Sequence, residues 1–235
     1  MEKNKSEKKI RIQQRKDKEK DSRREEIIKA AEKTFLVKGF DKSKMEEIAF
    51  EASLSKGTVY NYFDSKEHLY LAIACNAYKK LSEHTRKSIG GLTPGLDKLT
   101  AFGKAFYKFS EENPNYAKII HDYDSKTKFS QIIMEEPNIT SSSREFNELN
   151  QELNQYRTQF IQVINEAIKN NSVRDDLDPT FIALTLSMLT GGLIKEIMEN
   201  RNFLKNLNIP ENQIISLVFE WISEGLRPKL KSKSK

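Results

Sequence analysis

The sequence predicts an all-α protein with an N-terminal helix-turn-helix domain of three helices and a larger C-terminal helical bundle. Apolar residues recur at helical spacing from Ser22 onward, and no segment shows the apolar-polar alternation of strands. A short helix, a tight bend and a second short helix are also predicted between residues 44 and 63. This succession is the layout of a helix-turn-helix, whose second helix enters the DNA major groove.

The first of these two helices is predicted over Lys44 to Ala52. Its apolar positions follow helical spacing, so one face should be buried. Ser43 and Glu46 form an S-x-x-E pattern, which predicts a capping box at the helix start. Leu54 is the single apolar residue of the bend that follows, and Ser55 is placed to cap the second helix.

The second helix, predicted over Lys56 to Phe63, has two different faces. Val59 and Phe63 lie four residues apart and should point into a core, whereas Gly57 and Asn61 fall on the opposite side. Glycine costs about 1 kcal/mol relative to alanine in an exposed helix, so close approach to a base edge or phosphate would explain it. The outward face is therefore a candidate DNA-reading surface.

The sequence around this helix resembles the TetR family of bacterial and archaeal transcription regulators. The matching residues are S-K-G-T-V-Y-N-Y-F-D-S-K, preceded by M-E-E-I-A and by A-A-E-K-T-F-L-V-K-G-F, and they fall between Arg24 and Tyr70. Ser53 departs from the family pattern, which has glycine in the turn; serine can adopt a left-handed conformation there at some cost in strain. A packed helical hairpin without a role in DNA binding is the alternative interpretation.

The resemblance implies two sets of contacts with double-stranded DNA. Asn and Lys side chains suit adenine and guanine edges, and hydroxyls suit phosphates. The candidate base contacts are Lys56, Gly57, Tyr60 and Asn61. The candidate phosphate contacts are Ser43, Thr58, Tyr62 and Lys66, the last of these beside a helix start that Ser65 would cap.

The net charge of +6 is unevenly distributed along the 235 residues. Residues 1–66 contain 18 Lys/Arg and 13 Asp/Glu, and residues 227–235 contain five Lys/Arg and no acid, which leaves the middle of the chain at −4. Positive charge therefore accompanies the proposed DNA-reading helix. One cysteine, Cys75, excludes a disulfide within the chain and is expected to be a buried thiol, with a redox sensor as the alternative.

The sequence predicts a cytoplasmic protein with no membrane span and no cofactor. We find no apolar run long enough to span a bilayer and no apolar signal sequence. No nucleophile-base pair or glycine-rich phosphate loop suggests an enzyme. His121 and Asp124 share a helix face, but two ligands do not make a metal site, so no metal is expected. His68 and His84 are expected to face solvent.

Four segments are predicted along the chain. Residues 1–21 are a charged extension with nine Lys/Arg, interpreted as a solvated tail or as an arm that folds on contact with DNA. Residues 22–66 form the helix-turn-helix domain, 67–228 the effector-binding and dimerisation domain, and 229–235 a basic tail. The predicted helices outside the reading pair are Ser22–Lys38, Lys66–Ser88, Gly95–Asn113, Asn115–Asp124, Lys126–Glu136, Ser142–Asn170, Pro179–Asn200 and Pro210–Leu226.

Aromatic and branched apolar residues are concentrated between positions 102 and 164. They predict either a packed core or a largely apolar effector pocket between helices. The proposed lining residues are Phe102, Phe106, Phe109, Tyr116, Ile120, Tyr123, Phe129, Ile133, Tyr156, Phe160 and Ile164. The expected ligand is a small apolar or amphipathic molecule.

The last two predicted helices contain the candidate dimer interface. The first is apolar almost all round from Phe181 to Ile194, so it should be buried on more than one side. A symmetric four-helix contact would bury it, and a single-chain core is the alternative. The proposed interface residues are Leu184, Leu189, Leu193, Ile197, Leu217, Val218 and Trp221.

The sequence thus favours a transcription regulator, most often a repressor in this family. It would bind a palindromic operator as a homodimer and be released by the effector. The alternative is a DNA-binding protein of the same fold without a small-molecule effector, controlled by a protein partner or acting as an architectural factor.

Overall fold

A computed structural model describes the backbone of residues 2–133 and 143–228 and the side chains of residues 10–124 and 143–228. All regular secondary structure in these ranges is helical, as predicted. The helices are α1 (Glu2–Lys38), α2 (Met45–Glu51), α3 (Lys56–Tyr60), α4 (Lys66–Ile89), α5 (Leu96–Glu112), α6 (Pro114–Ile133), α7 (Arg144–Lys169), α8 (Pro179–Glu199), α9 (Arg201–Asn206) and α10 (Glu211–Leu226).

The chain forms two compact units. Unit 1 comprises residues 1–75 and 136–149, and unit 2 comprises residues 76–135 and 150–235. Helices α4 and α7 each contribute to both units, because the divisions fall within them. The segment boundaries predicted from the sequence therefore remain predictions, with α4 shared rather than assigned to one side.

Unit 1 contains the helix-turn-helix around a small core. Ile27 of α1, Ile48 of α2 and Val59 of α3 are each completely buried, and Phe63 and Leu69 close the core from the start of α4. The first turns of α7 belong to the same unit, where Leu149 is also fully buried. Burying these side chains holds α2 and α3 against α1, since neither of the two short helices is long enough to be stable alone.

Helix α1 begins at Glu2 instead of at Ser22, so the extension is helical. Gln13 donates a hydrogen bond to Asp17, and Arg15 pairs with Glu19 at 2.8 Å, both at i,i+4 spacing. Pairs of this kind support a helix whose surface is solvated. The expectation of solvent exposure is met along this stretch, since every side chain from Ile10 to Arg23 is exposed.

The start of α2 differs from the predicted capping box. Lys44 is the N-cap, and the carboxylate of Glu47 accepts a hydrogen bond from its backbone N–H at 3.2 Å. Ser43 is only 3% exposed, and its hydroxyl donates to the Gly39 carbonyl at 2.7 Å. The box is thus displaced by one residue, because Ser43 turns inward to close the preceding loop.

The bend between α2 and α3 has the backbone that the sequence indicated. Ser53 is left-handed with φ of +56°, which costs a non-glycine residue about 1 kcal/mol. The hydroxyl of Ser55 caps α3 by accepting from the Thr58 N–H at 3.1 Å. Helix α3 ends at Tyr60, three residues before the predicted end.

Unit 2 is a helical bundle with two differences from the predicted elements. A single helix, α6, replaces the two predicted on either side of Ser125, and α9 was not predicted. Asp178 caps α8 through bonds from the Thr180 and Phe181 N–H groups, with Pro179 in the first turn. Cys75 of unit 1 is buried as expected.

Two expectations are wrong, one about the exposure of two histidines and one about the absence of a helix of membrane-spanning length. The side chains of His68 and His84 are only 12% and 20% exposed, and the His84 ring packs edge-on against the buried Phe109. Among the described residues, α8 is long and apolar enough to cross a membrane, contrary to the expectation that no such stretch exists. Length and composition alone are weak support for a membrane span, because helices of water-soluble proteins meet the same criteria.

Candidate nucleic-acid interface and internal cavity

Helix α3 presents the predicted reading residues on its outer face. Val59 and Phe63 are 0% and 2% exposed, whereas Gly57, Tyr60 and Asn61 are exposed. The two faces therefore divide as the sequence periodicity indicates. The base contacts themselves stay a prediction.

Gly57 is not required by the fold. A Cβ atom built at this position would have only the Ser55 hydroxyl within 4 Å, at 3.9 Å, and the backbone is not left-handed. Alanine would fit and would favour the helix by about 1 kcal/mol. Nothing in the described part of the chain therefore requires glycine at this position.

The neighbouring polar side chains are held in place by partners within unit 1. Lys56 pairs with Glu46 of α2 and lies 5.6 Å from the centre of the Tyr60 ring. The hydrogen bond between Lys56 and Glu46 raises the pKa of Lys56 and lowers the pKa of Glu46. Thr58 is half-buried and shares a hydrogen bond of 2.8 Å with Ser55. Tyr62 is also half-buried, at the rim of the same surface.

Two of the four predicted phosphate contacts have a structural use instead. Ser43 is buried, as described above. The ammonium of Lys66 donates to the carbonyls of Phe40 and Asp41, at 3.1 and 3.3 Å, and lies 4.5 Å from the centre of the Phe40 ring. Because these groups already satisfy the cation, Lys66 fits a role in fixing the loop before α2 and not one in binding phosphate.

Sequence reasoning missed two features of this surface. Lys42 and Lys44 are exposed just before α2, where lysine ammonium groups suit the phosphate backbone. Arg24 of α1 pairs with Glu145 at 3.0 Å and with Glu148 at 3.7 Å, and its guanidinium lies over the Phe63 ring. The lysines could have been found from their place before the helix. The ion pair joins residues 121 positions apart, which no local pattern reveals.

Unit 2 encloses a cavity of about 710 Å³. Five predicted pocket residues line it: Phe102, Phe106, Ile120, Tyr156 and Phe160. Four do not, namely Phe109, Tyr116, Tyr123 and Ile164; Phe109 and Ile164, for example, are at most 1% exposed and pack within the helical core. Phe129 and Ile133 lie outside the residues whose side chains are described.

The cavity wall is mostly apolar, and its polar groups include a buried tyrosine-carboxylate pair and two lysines. Deep in the wall the Tyr78 hydroxyl donates to Asp124 at 2.5 Å, and burial together with this carboxylate raises the pKa of Tyr78 well above its usual value. Nearer the surface lie the exposed Lys118 of α6 and the half-buried Lys195 of α8. Apolar walls with a few fixed polar groups are typical of small-molecule sites.

One close contact shapes this cavity. A Cβ atom at Gly103 would lie 2.5 Å from Cε1 of Phe219, so the α10 ring rests directly on the α5 backbone. Any larger residue at position 103 must displace that ring. Because both residues line the cavity, its volume depends on this glycine.

No metal site accompanies the cavity in the described part of the chain. No three His, Cys, Asp or Glu side chains there are grouped as metal ligands would be. His121 and Asp124 both line the cavity wall, where they add polar groups to it.

An exposed apolar face covers parts of α8 and α10. Four of the proposed dimer residues are about half exposed or more: Leu184, Leu189, Leu217 and Trp221. Phe181 and Met188, which were not proposed, are 58% and 59% exposed. Ile197 was wrongly placed on this face, because it is 3% exposed and packs with Ile215 and Phe219 inside unit 2.

Two further dimer candidates occupy intermediate positions. Leu193 is partly buried against the same internal cluster, and Val218 is half-buried on α10. The exposed face is therefore defined here by Phe181, Leu184, Met188, Leu189, Leu217 and Trp221.

Comparison with known proteins relates the helix-turn-helix of this chain to one family. The family model of bacterial regulatory proteins, tetR family, matches residues 27–73, which include α2, α3 and the first turns of α4. Residues 27–73 thus form a helix-turn-helix of the TetR type. The match covers the helix-turn-helix, including the exposed face of α3, and ends before the cavity.

Curated transcription regulators match over part of their length. The transcriptional activator FasR of Mycolicibacterium smegmatis is 32% identical over 108 residues, which are 46% of this chain and 49% of FasR. The transcriptional repressor KstR2 of the same species is 23% identical over 157 residues, or 67% of this chain and 70% of KstR2. The chain spans about half the length of FasR and of a Haemophilus influenzae regulator, with 49% and 58% covered.

Solved TetR-type structures share the fold over most of the chain. FadR of Bacillus subtilis, in complex with stearoyl-CoA, has a TM-score of 0.64 at 17% identity, covering 86% of this chain and 98% of FadR. The ketosteroid regulator KstR2 of Mycobacterium tuberculosis has a TM-score of 0.61 at 18% identity, with 88% and 96% covered. At these identities the likeness establishes the all-helical fold, with its N-terminal helix-turn-helix and C-terminal helical domain.

Proposed function

We propose that the protein is a cytoplasmic transcription regulator that binds double-stranded DNA through α3. The observation that carries this proposal is Gly57, an exposed helical glycine that nothing within the chain requires. Asn61 and Lys56 beside it offer the groups that read adenine and guanine in the major groove. Lys42 and Lys44 supply phosphate contacts next to the same surface.

We further propose that two copies pair through the exposed apolar face of α8 and α10. A patch that includes Trp221 at 64% exposure and Phe181 at 58% would be stabilised by burial against its own symmetry mate. A two-fold homodimer presents two reading helices and so predicts a roughly palindromic operator. This pairing also accounts for the unusual apolarity of α8.

The test of DNA binding is selection of fragments from a genomic library by the purified full chain. We expect enrichment of fragments that share one palindromic motif. Gly57→Leu, which keeps the buried face of α3 unchanged, should enrich nothing. Recovery of the same motif with Gly57→Leu, or no shared motif with the natural chain, would overturn the proposed site.

The proposed effector is an amphipathic molecule with a long or bulky apolar body. The cavity of about 710 Å³ lies within the 300–1,000 Å³ range of ligand pockets. A relative in the comparison holds stearoyl-CoA, and another is named for ketosteroids. The cavity is open and not filled by the protein's own side chains, which disfavours the alternative of a regulator without an effector.

Release by the effector requires a difference in affinity between two states of the protein. An effector that binds the state of low DNA affinity about 10⁴-fold more tightly can reverse a 99:1 population. We expect the protein to act as a repressor, so that the effector raises transcription. A reporter gene placed behind the selected operator would show lower expression with the protein than without it.

Stearoyl-CoA and a ketosteroid are the two probes for the cavity. We expect at least one to bind the natural chain in calorimetry and to lower operator affinity. Gly103→Leu should abolish that binding, because the side chain and the displaced Phe219 ring would occupy the cavity, while operator affinity stays unchanged. Binding that persists in Gly103→Leu would show that the effector binds outside this cavity. No binding of either probe would favour the alternative of a regulator without an effector.

A further inference from the structure

A second apolar surface lies on the helix-turn-helix, between the end of α1 and α2. Val37 and Phe50 are 77% and 86% exposed, the two most exposed large apolar side chains among the described residues. They line one groove of about 420 Å³, which we name the α1–α2 groove. On α2, Phe50 points away from the buried Met45, Ile48 and Ala49, so it contributes nothing to the core.

Two ion pairs border the groove, one at each end. Lys33 of α1 lies 2.6 Å from Glu51 of α2, and Lys38 of α1 lies 2.7 Å from Glu47 of α2. The two helices thus run in opposite directions along the groove. Lysines occupy both corners on the α1 side and glutamates both corners on the α2 side.

The charges of the groove make DNA an unsuitable occupant. Its lining contains two lysines and three glutamates, including Glu46, and both lysines are already paired. Glu46 is also paired, with Lys56, so a phosphate backbone would meet no unpaired lysine in this lining. The groove is therefore a surface for a protein, separate from the outer face of α3.

We propose that a second copy of this chain occupies the α1–α2 groove, related by a two-fold axis parallel to the two helices. Such an axis places α1 of each copy opposite α2 of the other. Lys33 then faces Glu51 of the other copy, Lys38 faces Glu47, and Val37 faces Phe50. A two-fold axis that lies in the plane of the contact but perpendicular to the helices would place lysine opposite lysine. Charge complementarity therefore favours the axis parallel to the helices.

The contact is small and should be weak in free solution. Stable interfaces bury about 1,200–2,000 Å² in total, whereas this one centres on two apolar side chains and four charges from each copy. We expect the contact to form on DNA, because adjacent sites hold two molecules at high effective concentration. This part rests on the proposed function, and it predicts cooperative binding of neighbouring homodimers through their helix-turn-helix units.

The first experiment measures binding to duplexes that carry one or two copies of the selected operator, with the spacing between copies varied. We expect the second homodimer to bind at least tenfold more tightly than the first at one or two favoured spacings. Phe50→Ser should remove this cooperativity and leave single-site affinity unchanged. Phe203→Ser is the matched control, because Phe203 is 60% exposed outside the groove.

The second experiment exchanges charges. The double variant Lys33→Glu/Glu51→Lys keeps the ion pair within each chain and stays complementary to itself across the two-fold axis, so it should bind cooperatively. A mixture of this variant with the natural chain opposes like charges and should form no mixed neighbours on the two-site duplex, as counted with two fluorescent labels.

The outcomes separate this proposal from the proposed function. No binding to the single-site duplex would refute DNA recognition by α3. Normal single-site binding without cooperativity at any spacing, or cooperativity that Phe50→Ser and the mixed population retain, would refute the groove contact alone. Sedimentation of the full chain at high concentration gives a readout without DNA, in which Phe50→Ser should reduce association beyond the dimer and Phe203→Ser should not.

Discussion

At the scale of single residues, Gly57 and Lys66 show how similar sequence signals lead to different roles. Both were candidates for DNA contact. Gly57 has open space around it, whereas the Lys66 ammonium is bound by backbone carbonyls of the loop before α2. The space beside Gly57 is therefore open to an approaching surface, whereas the Lys66 ammonium already holds the loop.

Gly57→Ala should separate folding from DNA binding. We expect the free energy of unfolding to stay the same or rise by up to about 1 kcal/mol, because alanine favours the helix and meets no neighbour. Operator affinity should fall at least tenfold. Denaturant titration and fluorescence anisotropy measure the two quantities. Unchanged affinity would show that DNA does not approach α3 at this point.

Lys66→Met should behave in the opposite way. Removing the charged donor leaves loop carbonyls without their partner, which costs about 1–3 kcal/mol of stability. Lys44→Ala is the comparison, because that side chain is exposed. Lys44→Ala should reduce the salt dependence of DNA binding by about one unit in the log–log slope with little effect on stability. If Lys66→Met lowers that slope by one unit and leaves stability unchanged, Lys66 does bind phosphate.

At the scale of elements, α7 is tied to α1 within unit 1 by a nearly buried ion pair. The side chains of Arg24 and Glu145 are 13% and 9% exposed, and Arg24 also covers the Phe63 ring. Removing one member leaves the other charge in a poorly solvated place. The pair therefore fixes the first turn of α7 against the core of the helix-turn-helix.

Arg24→Met should lower the free energy of unfolding of this unit by about 3 kcal/mol. The double variant Arg24→Met/Glu145→Leu should recover a large part of that loss, since no unpaired charge remains. Hydrogen exchange of the amides in α1 and the first turns of α7 reports the effect locally. Arg15→Met is the control, because its pair with Glu19 is exposed and should change stability by less than about 1 kcal/mol. Equal losses in the single and double variants would refute the coupling.

At the scale of the whole molecule, the homodimer proposed through the exposed face of α8 and α10 can be tested by mutation. Leu184→Glu/Trp221→Glu should give monomers, because carboxylates on this face cannot be buried against their symmetry mates. Light scattering measures the mass, and circular dichroism should show the same helix content. Phe203→Glu serves as a control elsewhere on the surface. A dimer that persists in the double variant would place the interface on another face.

The helix-turn-helix could be predicted from sequence because its signals are local. Helical spacing placed Val59 and Phe63 inside and Gly57 and Asn61 outside, and Ser55 was recognised as a cap. Where a side chain has two possible partners, sequence reasoning was less successful. Ser43 turned inward to Gly39 and Ile197 packed into the bundle, and both choices depend on neighbours that periodicity does not name.

The sequence by itself determined the all-helical class, the TetR-type helix-turn-helix and the division of α3 into a buried and an open face. These follow from spacings of three and four residues and from short-range capping. Only the tertiary structure decided which aromatic residues border the cavity, that Arg24 meets Glu145, and that Val37 and Phe50 share one charged groove. The physical reason is that residues close in the sequence determine the faces of a helix, whereas contacts between helices depend on packing among residues distant in the chain.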